Sequence, residues 1–153
     1  MPAGAGADVF NGRIAFSSFR TSPVPGQPIG DIFSVNPDGT GLKQLTTNPL
    51  DDAQSDCAPD GRNIAYRIRK PDGSVNYEVS RMTAQGTGHL RLTYTPTGEA
   101  SAQPSWKPDG SGILFRYSAG RISDPWTMGL FGEHPKLLFQ IPEPSSIRAT
   151  RPT

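Results

Sequence analysis

Asp51, Asp52 and Asp56 form the densest group of acidic side chains in the sequence. Hard oxygen donors at such spacing are the chemistry of a calcium site, and Ca²⁺ is the one cofactor these residues suggest. Against a metal, no glycine-turned loop of the EF-hand kind lies between them, and the matching positions of a later repeat are Ala100, Ser101 and Ser105. Solvated loop carboxylates are the plainer reading. His89 and His134 stand alone, far from a spacing that would join them to a serine and an aspartate, and no Gly-x-Ser-x-Gly elbow is present. No catalytic residue is therefore assigned. Cys57 is reactive only in an electropositive, partly exposed setting, and its alignment with Trp106 predicts a buried place instead. For binding, the neutral amides Gln54 and Gln103 are candidates, as are the cations Arg67, Arg69 and Arg116. With Lys70 and Arg121 these form two modest basic groups able to receive an acidic partner, or a solvated sheet face. Tyr117 and Trp126 offer stacking surfaces for a sugar or peptide, or simple packing.

The elements that must position these residues follow from turn chemistry. Gly 17 and Pro 16 among 153 residues are more helix breakers than a helical protein absorbs. Many short strands are expected. Lys+Arg 15 against Asp+Glu 14 leaves a net charge of +1, so no global field exists to hold nucleic acid or an anionic membrane. The start, Met1 to Asp8, lacks the basic and apolar regions of a secretory signal. No apolar run reaches the roughly 18 residues of a membrane span. One cysteine permits no internal disulfide.

Internal repetition decides the architecture. Gly61-Arg62-Asn63-Ile64-Ala65-Tyr66 recurs 49 residues later as Gly110-Ser111-Gly112-Ile113-Leu114-Phe115, and Asn11-Gly12-Arg13-Ile14-Ala15-Phe16 is an earlier copy. A second landmark repeats at 47 residues: Gly39-Thr40-Gly41 leading to Gln44-Leu45-Thr46, then Gly86-Thr87-Gly88 leading to Arg91-Leu92-Thr93. In a third, degraded copy Phe131-Gly132-Glu133 replaces the Asp-Gly turn and Lys136-Leu137-Leu138 stands for the closing strand. The period predicts four-stranded blades of a β-propeller. Within one unit the strands are expected at Ala53 to Cys57 or Ala102 to Trp106, then after a Pro-Asp-Gly turn at Ile64 to Ile68 or Ile113 to Tyr117. The third strand is expected at Ile32 to Val35, Glu78 to Met82 and Trp126 to Leu130, and the fourth ends at Leu45-Thr46 or Leu92-Thr93. Ile64, Tyr66 and Ile68 would share one face, Arg67 and Arg69 the other.

Pro104-Ser105-Trp106-Lys107-Pro108-Asp109-Gly110 followed by Ile113-Leu114-Phe115, with Asp31-Ile32-Phe33-Ser34-Val35-Asn36-Pro37-Asp38-Gly39-Thr40-Gly41 before Gln44-Leu45-Thr46, resembles the TolB-like propeller repeats. The likeness covers about residues 11 to 139. It implies an all-β propeller of about three four-stranded antiparallel blades: 11–46, 47–93 and 94–139. Residues 1–10 would be flexible or complete a blade, and 142–153, with three prolines, would be a disordered tail. An arc of three blades exposes apolar end faces. Either a homodimer closes a six-blade ring or the chain is a fragment of a longer propeller, the second being preferred. The resemblance further implies a non-enzymatic scaffold for a protein or peptide, periplasmic or extracellular. Alternatives are the gating propeller of a prolyl-oligopeptidase-like serine peptidase and, ranked last, a propeller lyase or glycoside hydrolase, since the inner strands carry Gln54, Ser55, Gln103 and Ser105 where that chemistry needs converging His, Glu or Tyr.

Overall fold

The computed structural model describes residues 12–19, 29–74 and 76–140. The segments 1–10 and 142–153 lie outside them. Among the described residues there is no helix, and the strands form three antiparallel sheets in chain order. The first holds β1 (Ile14–Ser18), β2 (Asp31–Val35) and β3 (Lys43–Gln44); the second β4 (Asp52–Cys57), β5 (Asn63–Arg69), β6 (Tyr77–Thr83) and β7 (Leu90–Arg91). The third holds β8 (Glu99–Trp106), β9 (Ile113–Ala119), β10 (Ile122–Met128) and β11 (Lys136–Leu137). Each full sheet is a four-strand meander, one blade per sequence repeat.

The registers are those the repeat demands. Ile64 lies opposite Cys57 and Met82, and Ile113 lies opposite Trp106 and Met128. Ile64, Tyr66 and Met82 pack on Ile32 and Leu45 of the first blade. From the other face of the same sheet, Ala65, Val79 and Leu92 pack on Trp106, Ile113, Phe115 and Met128 of the third. Three consecutive residues of β5 are thus buried, Ile64 2%, Ala65 0% and Tyr66 1% exposed. A strand with both faces covered keeps no fully solvated side, and Arg67 and Arg69 are half-buried; Lys70, just past β5 and read as part of a solvated basic face, is buried at 3% exposure, whereas Arg116 and Arg121 are exposed.

The Leu-Thr ending has a mechanism. Leu45 N donates to Ile32 O at 2.7 Å, and Thr46 Oγ1 accepts the Ile32 N–H at 2.9 Å. Leu92 N and Thr93 Oγ1 bond Val79 in the same way, at 2.8 and 2.9 Å. The leucine fills the interface while the hydroxyl satisfies an amide that the two-residue strand leaves over. In the third blade Pro125 occupies the place of Val79 and Phe139 that of Thr93. A proline has no N–H to donate and a phenylalanine no oxygen to accept, so the two departures compensate.

The third strand of the last blade runs Ile122–Met128 rather than Trp126 to Leu130. Gly120, at φ +59°, makes a tight hairpin with Arg121 that brings Ile122 opposite Ala119, while Gly129 leaves the ladder to bond Glu133 O at 2.9 Å. Pro125 is tolerated inside β10 because its missing donor has no acceptor to serve. The Asp-Gly turn judged lost there keeps its glycine: Gly132 has φ +83°, beside +83° and +81° at Gly39 and Gly86. A Cβ on Gly86 would come 2.9 Å from Leu45 O, and one on Gly132 would come 2.3 Å from Leu92 O. This turn leans on the preceding blade's backbone. Gly39 meets nothing within 4 Å, and Ile14, the register equivalent of Ile64, is 52% exposed.

Equal residues at equal register should therefore differ in energetic weight. Ile113→Ala should destabilise the 153-residue chain by about 2–5 kcal/mol and Ile14→Ala by less than about 1 kcal/mol, measured by urea unfolding. Equal losses would contradict the stacking order.

Candidate functional site

The inner strands β4 and β8 are edge strands of their sheets, and each carries the same irregularity. The ladder skips between Ala53 and Asp56 and again between Ala102 and Ser105. Within each skip a glutamine adopts left-handed backbone, Gln54 at φ 54° and Gln103 at φ 52°. That conformation costs about 1–2 kcal/mol for a side-chain-bearing residue, and a bulge frees local amides from the ladder. Hydrogen bonds between blades take them up: Gln103 N donates to Gln54 Oε1 at 3.0 Å, and Gln54 N donates to Ser17 Oγ at 3.2 Å. Both glutamines are exposed. A belt of bulge, amide and backbone thus links the three blades at one edge, with Ser55 and Ser105 between the bonded positions.

The carboxylates grouped in sequence disperse in space. Asp51 accepts from Gly30 N at 2.9 Å and from Arg67 at 2.8 Å. Asp52 is fully buried; its Oδ2 accepts from the Asn48 amide, and its Oδ1 has no partner. Desolvation pushes its pKa up to about 7. Asp56 turns to the next blade, where Oδ2 accepts Trp106 N at 2.7 Å and its carbonyl accepts Trp106 Nε1 at 3.0 Å. Among the described residues no group of three or more His, Cys, Asp or Glu is arranged to hold a metal ion.

The basic candidates also part company. Arg67 is spoken for by Asp51 and stacks 3.9 Å from the centre of the Tyr77 ring. Arg69 is half-buried with Nε lacking a partner, and Arg116 is exposed. Lys70 Nζ lies 3.5 Å from Glu78 and donates to the carbonyls of Thr95 and Pro96 at 2.9 and 2.8 Å. Glu78 itself, which the sequence reading passed over, is fully buried and takes bonds from Arg91, Thr93 and Thr95. Its signal was an acid inside a strand between Tyr77 and Val79.

Cys57 is exposed rather than buried, which corrects the expectation drawn from Trp106. Trp106 is covered because β4 of the preceding blade lies beside it; burial here belongs to the neighbour, and sequence alignment does not carry it over. Burial of the thiol's near side still raises its pKa. His89 is exposed and meets the Tyr66 hydroxyl at 3.0 Å through Nδ1. His134 is exposed, at φ 53°. Tyr117 packs on Trp126 with ring centres 5.2 Å apart. Its hydroxyl donates to Glu99, which pushes the phenol's pKa up to about 12.

No family model and no curated protein matches the sequence. Solved structures do. The putative TolB of Agrobacterium tumefaciens superposes with a TM-score of 0.71 at 19% identity, over 84% of this chain and 46% of that one. TolB of Acinetobacter baumannii follows at 0.66 and 22%, over 86% and 31%. The fold is a TolB-like β-propeller, present in part. An oligogalacturonate lyase in complex with manganese also superposes, with a TM-score of 0.68 at 15% identity, over 88% and 40%. The chain spans less than half the length of each of these structures. At such identities the likeness is one of fold, and both a TolB and an enzyme share it with this TolB-like chain.

Asp52 yields a pH test. The folded chain keeps this proton up to about pH 7, while the unfolded chain releases it near 3.8. Between those values the folded state binds more protons, so stability falls as pH rises, by up to about 1.4 kcal/mol per unit. Asp52→Asn should flatten that slope in urea unfolding and be the more stable form above about pH 7. An unchanged slope would assign the dependence to other groups.

Proposed function

We propose that the chain is part of a non-enzymatic TolB-like scaffold that binds a protein or peptide along its inner strands, in the periplasm or outside the cell. The observation that carries this reading is the glutamine belt. It sets neutral donors and acceptors, Gln54 and Gln103, beside edge strands whose ladders are broken at the same place. An extended peptide asks for that chemistry, main-chain bonds along an edge with amide side chains to fix its register. Arg116, exposed near the belt's blade, adds attraction for an acidic segment; Arg67 is already neutralised by Asp51. Calcium as a cofactor finds no support in the dispersed carboxylates.

The same reading has the open faces covered by further blades, from a second copy or from additional chain. Ile14 at 52% and Phe139 at 61% exposure mark the two faces, and Gly39 waits at the first for the backbone that Gly86 and Gly132 already touch. A discrete particle of twice the chain's mass in sedimentation equilibrium would select the homodimer.

A second reading, an enzyme acting in its own channel, is favoured by the likeness to the manganese-bound oligogalacturonate lyase. Both readings meet one experiment. A library of extended peptides is screened for binding, and the Gln54→Ala/Gln103→Ala variant is compared by fluorescence anisotropy. The expected result is a loss of about tenfold or more in affinity, equivalent to one or two hydrogen bonds. Undiminished peptide binding, or cleavage of oligogalacturonate in the presence of manganese, would overturn the scaffold reading.

A further inference from the structure

The two blade interfaces are built from the same register yet are not equally filled. In the first, the Tyr66 hydroxyl meets His89 Nδ1 at 3.0 Å, and the Asp52 carboxyl is bonded to Asn48. At the equivalent places of the second interface stand Phe115, Pro135 and Ser101. None of these rebuilds the plug: phenylalanine has no hydroxyl, the ring nitrogen of proline is tied up in the peptide bond and cannot accept one, and Ser101 makes no bond to Thr95, the counterpart of Asn48. The result is a cavity of about 320 Å³ lined by Tyr94, Phe115, Tyr117, Trp126 and Ser101 among others. Ser101 is 0% exposed and its Oγ has no hydrogen-bond partner. A buried hydroxyl left unpaired is an unfavourable arrangement that a ligand atom would relieve.

We infer that this gap between the second and third blades is a binding site for a phenol-type group, a single aromatic ring bearing one hydroxyl, separate from the glutamine belt. An apolar cavity of about 150 Å³ already holds a benzene ring, and aromatic walls favour offset or edge-on stacking of a further ring. The charges nearby are committed elsewhere: Glu78 is shared by Lys70 and Arg91, and Arg91 lies 4.4 Å from the centre of the Tyr94 ring. Nothing at the wall therefore calls for a charged ligand. A sugar fits poorly, because its several hydroxyls would face one orphan partner and each unmatched one is a loss. Ser101 lines the cavity together with these rings, and its Oγ, covered in the unliganded chain, becomes the partner of a ring hydroxyl once the lining side chains shift to seat the ring.

Two sources share this chemistry, a tyrosine side chain of a peptide and a small free phenol. The indole N–H signals of the 153-residue chain's 2 tryptophans separate the site from the rest. Trp106, bonded to Asp56, serves as the internal control. Titration with p-cresol should move the Trp126 signal alone, with a dissociation constant on the order of 1 mM, a reasonable figure for a fragment of this size. Ser101→Ala should weaken p-cresol by about five- to tenfold, and toluene should bind wild type that much more weakly than p-cresol. Phe115→Tyr with Pro135→His, copying the plug of the first interface, should abolish the shift while the Trp106 signal stays in place. N-acetyltyrosinamide distinguishes the sources: a matching shift points to a peptide side chain, its absence to a free phenol. No movement of Trp126 with p-cresol, equal binding of toluene, or a shift that survives the plugged variant would overturn the assignment. Each of these leaves the glutamine belt's peptide binding to be judged by its own variant.

Discussion

Face-to-face burial of antiparallel sheets is the interaction on which the rest of this molecule depends. Each blade is too thin to hold a core of its own; its apolar side chains find cover only on the next blade. The middle sheet shows the consequence most clearly, since Ile64 and Ala65 point opposite ways and keep only 2% and 0% of their exposure. Fully burying a side chain such as Ile64 contributes roughly 1.5–3 kcal/mol, and the contribution exists only while a neighbour is present. The left-over amides of the short fourth strands, the turn glycines pressed on the preceding backbone and the glutamine bonds between bulges all assume the same stacking.

Polar features are subordinate to that geometry. Two glutamines are held at left-handed φ because hydrogen bonds from one blade to the next take up what the bulges release. Strain at these repeated positions persists because the interface between blades compensates it. Glu78 and Lys70 form a buried charged pair that the half-buried Arg91 joins from the rim; removing Lys70 or Arg91 would leave the Glu78 carboxylate short of a partner where water hardly reaches. Its counterpart in the first blade is Asp31 with Gln44, joined at 3.0 Å, a neutral donor in place of the cation.

Much of the site was less legible than the fold, for a physical reason that particular residues illustrate. Asp51, Asp52 and Asp56 are close in sequence, but alternation and a bulge send them to an arginine, to a buried amide and to the next blade's tryptophan. Cys57 and Trp106 share a register, yet one is exposed and the other buried, because the covering surface comes from another repeat. Gln54 and Gln103 were picked out as separate candidates; that one accepts a hydrogen bond from the backbone of the other required both bulges to be seen. The cavity beside Ser101 had no signature, being a place where three plugging groups are missing at once from positions distant along the chain.

By itself the sequence determined the all-β class, the period of the blades, the turns of the first two copies and the equivalent places of Ile64 and Ile113 in successive sheets, because alternation and Pro-Asp-Gly chemistry act over a few residues and repeat. Only the tertiary structure decided which of several equivalent side chains are covered, which carboxylates meet a partner, and that two interfaces of one register enclose different spaces. Burial, desolvation and cavity shape are properties of what lies on the far side of a side chain, and in stacked sheets that neighbour is almost fifty residues away.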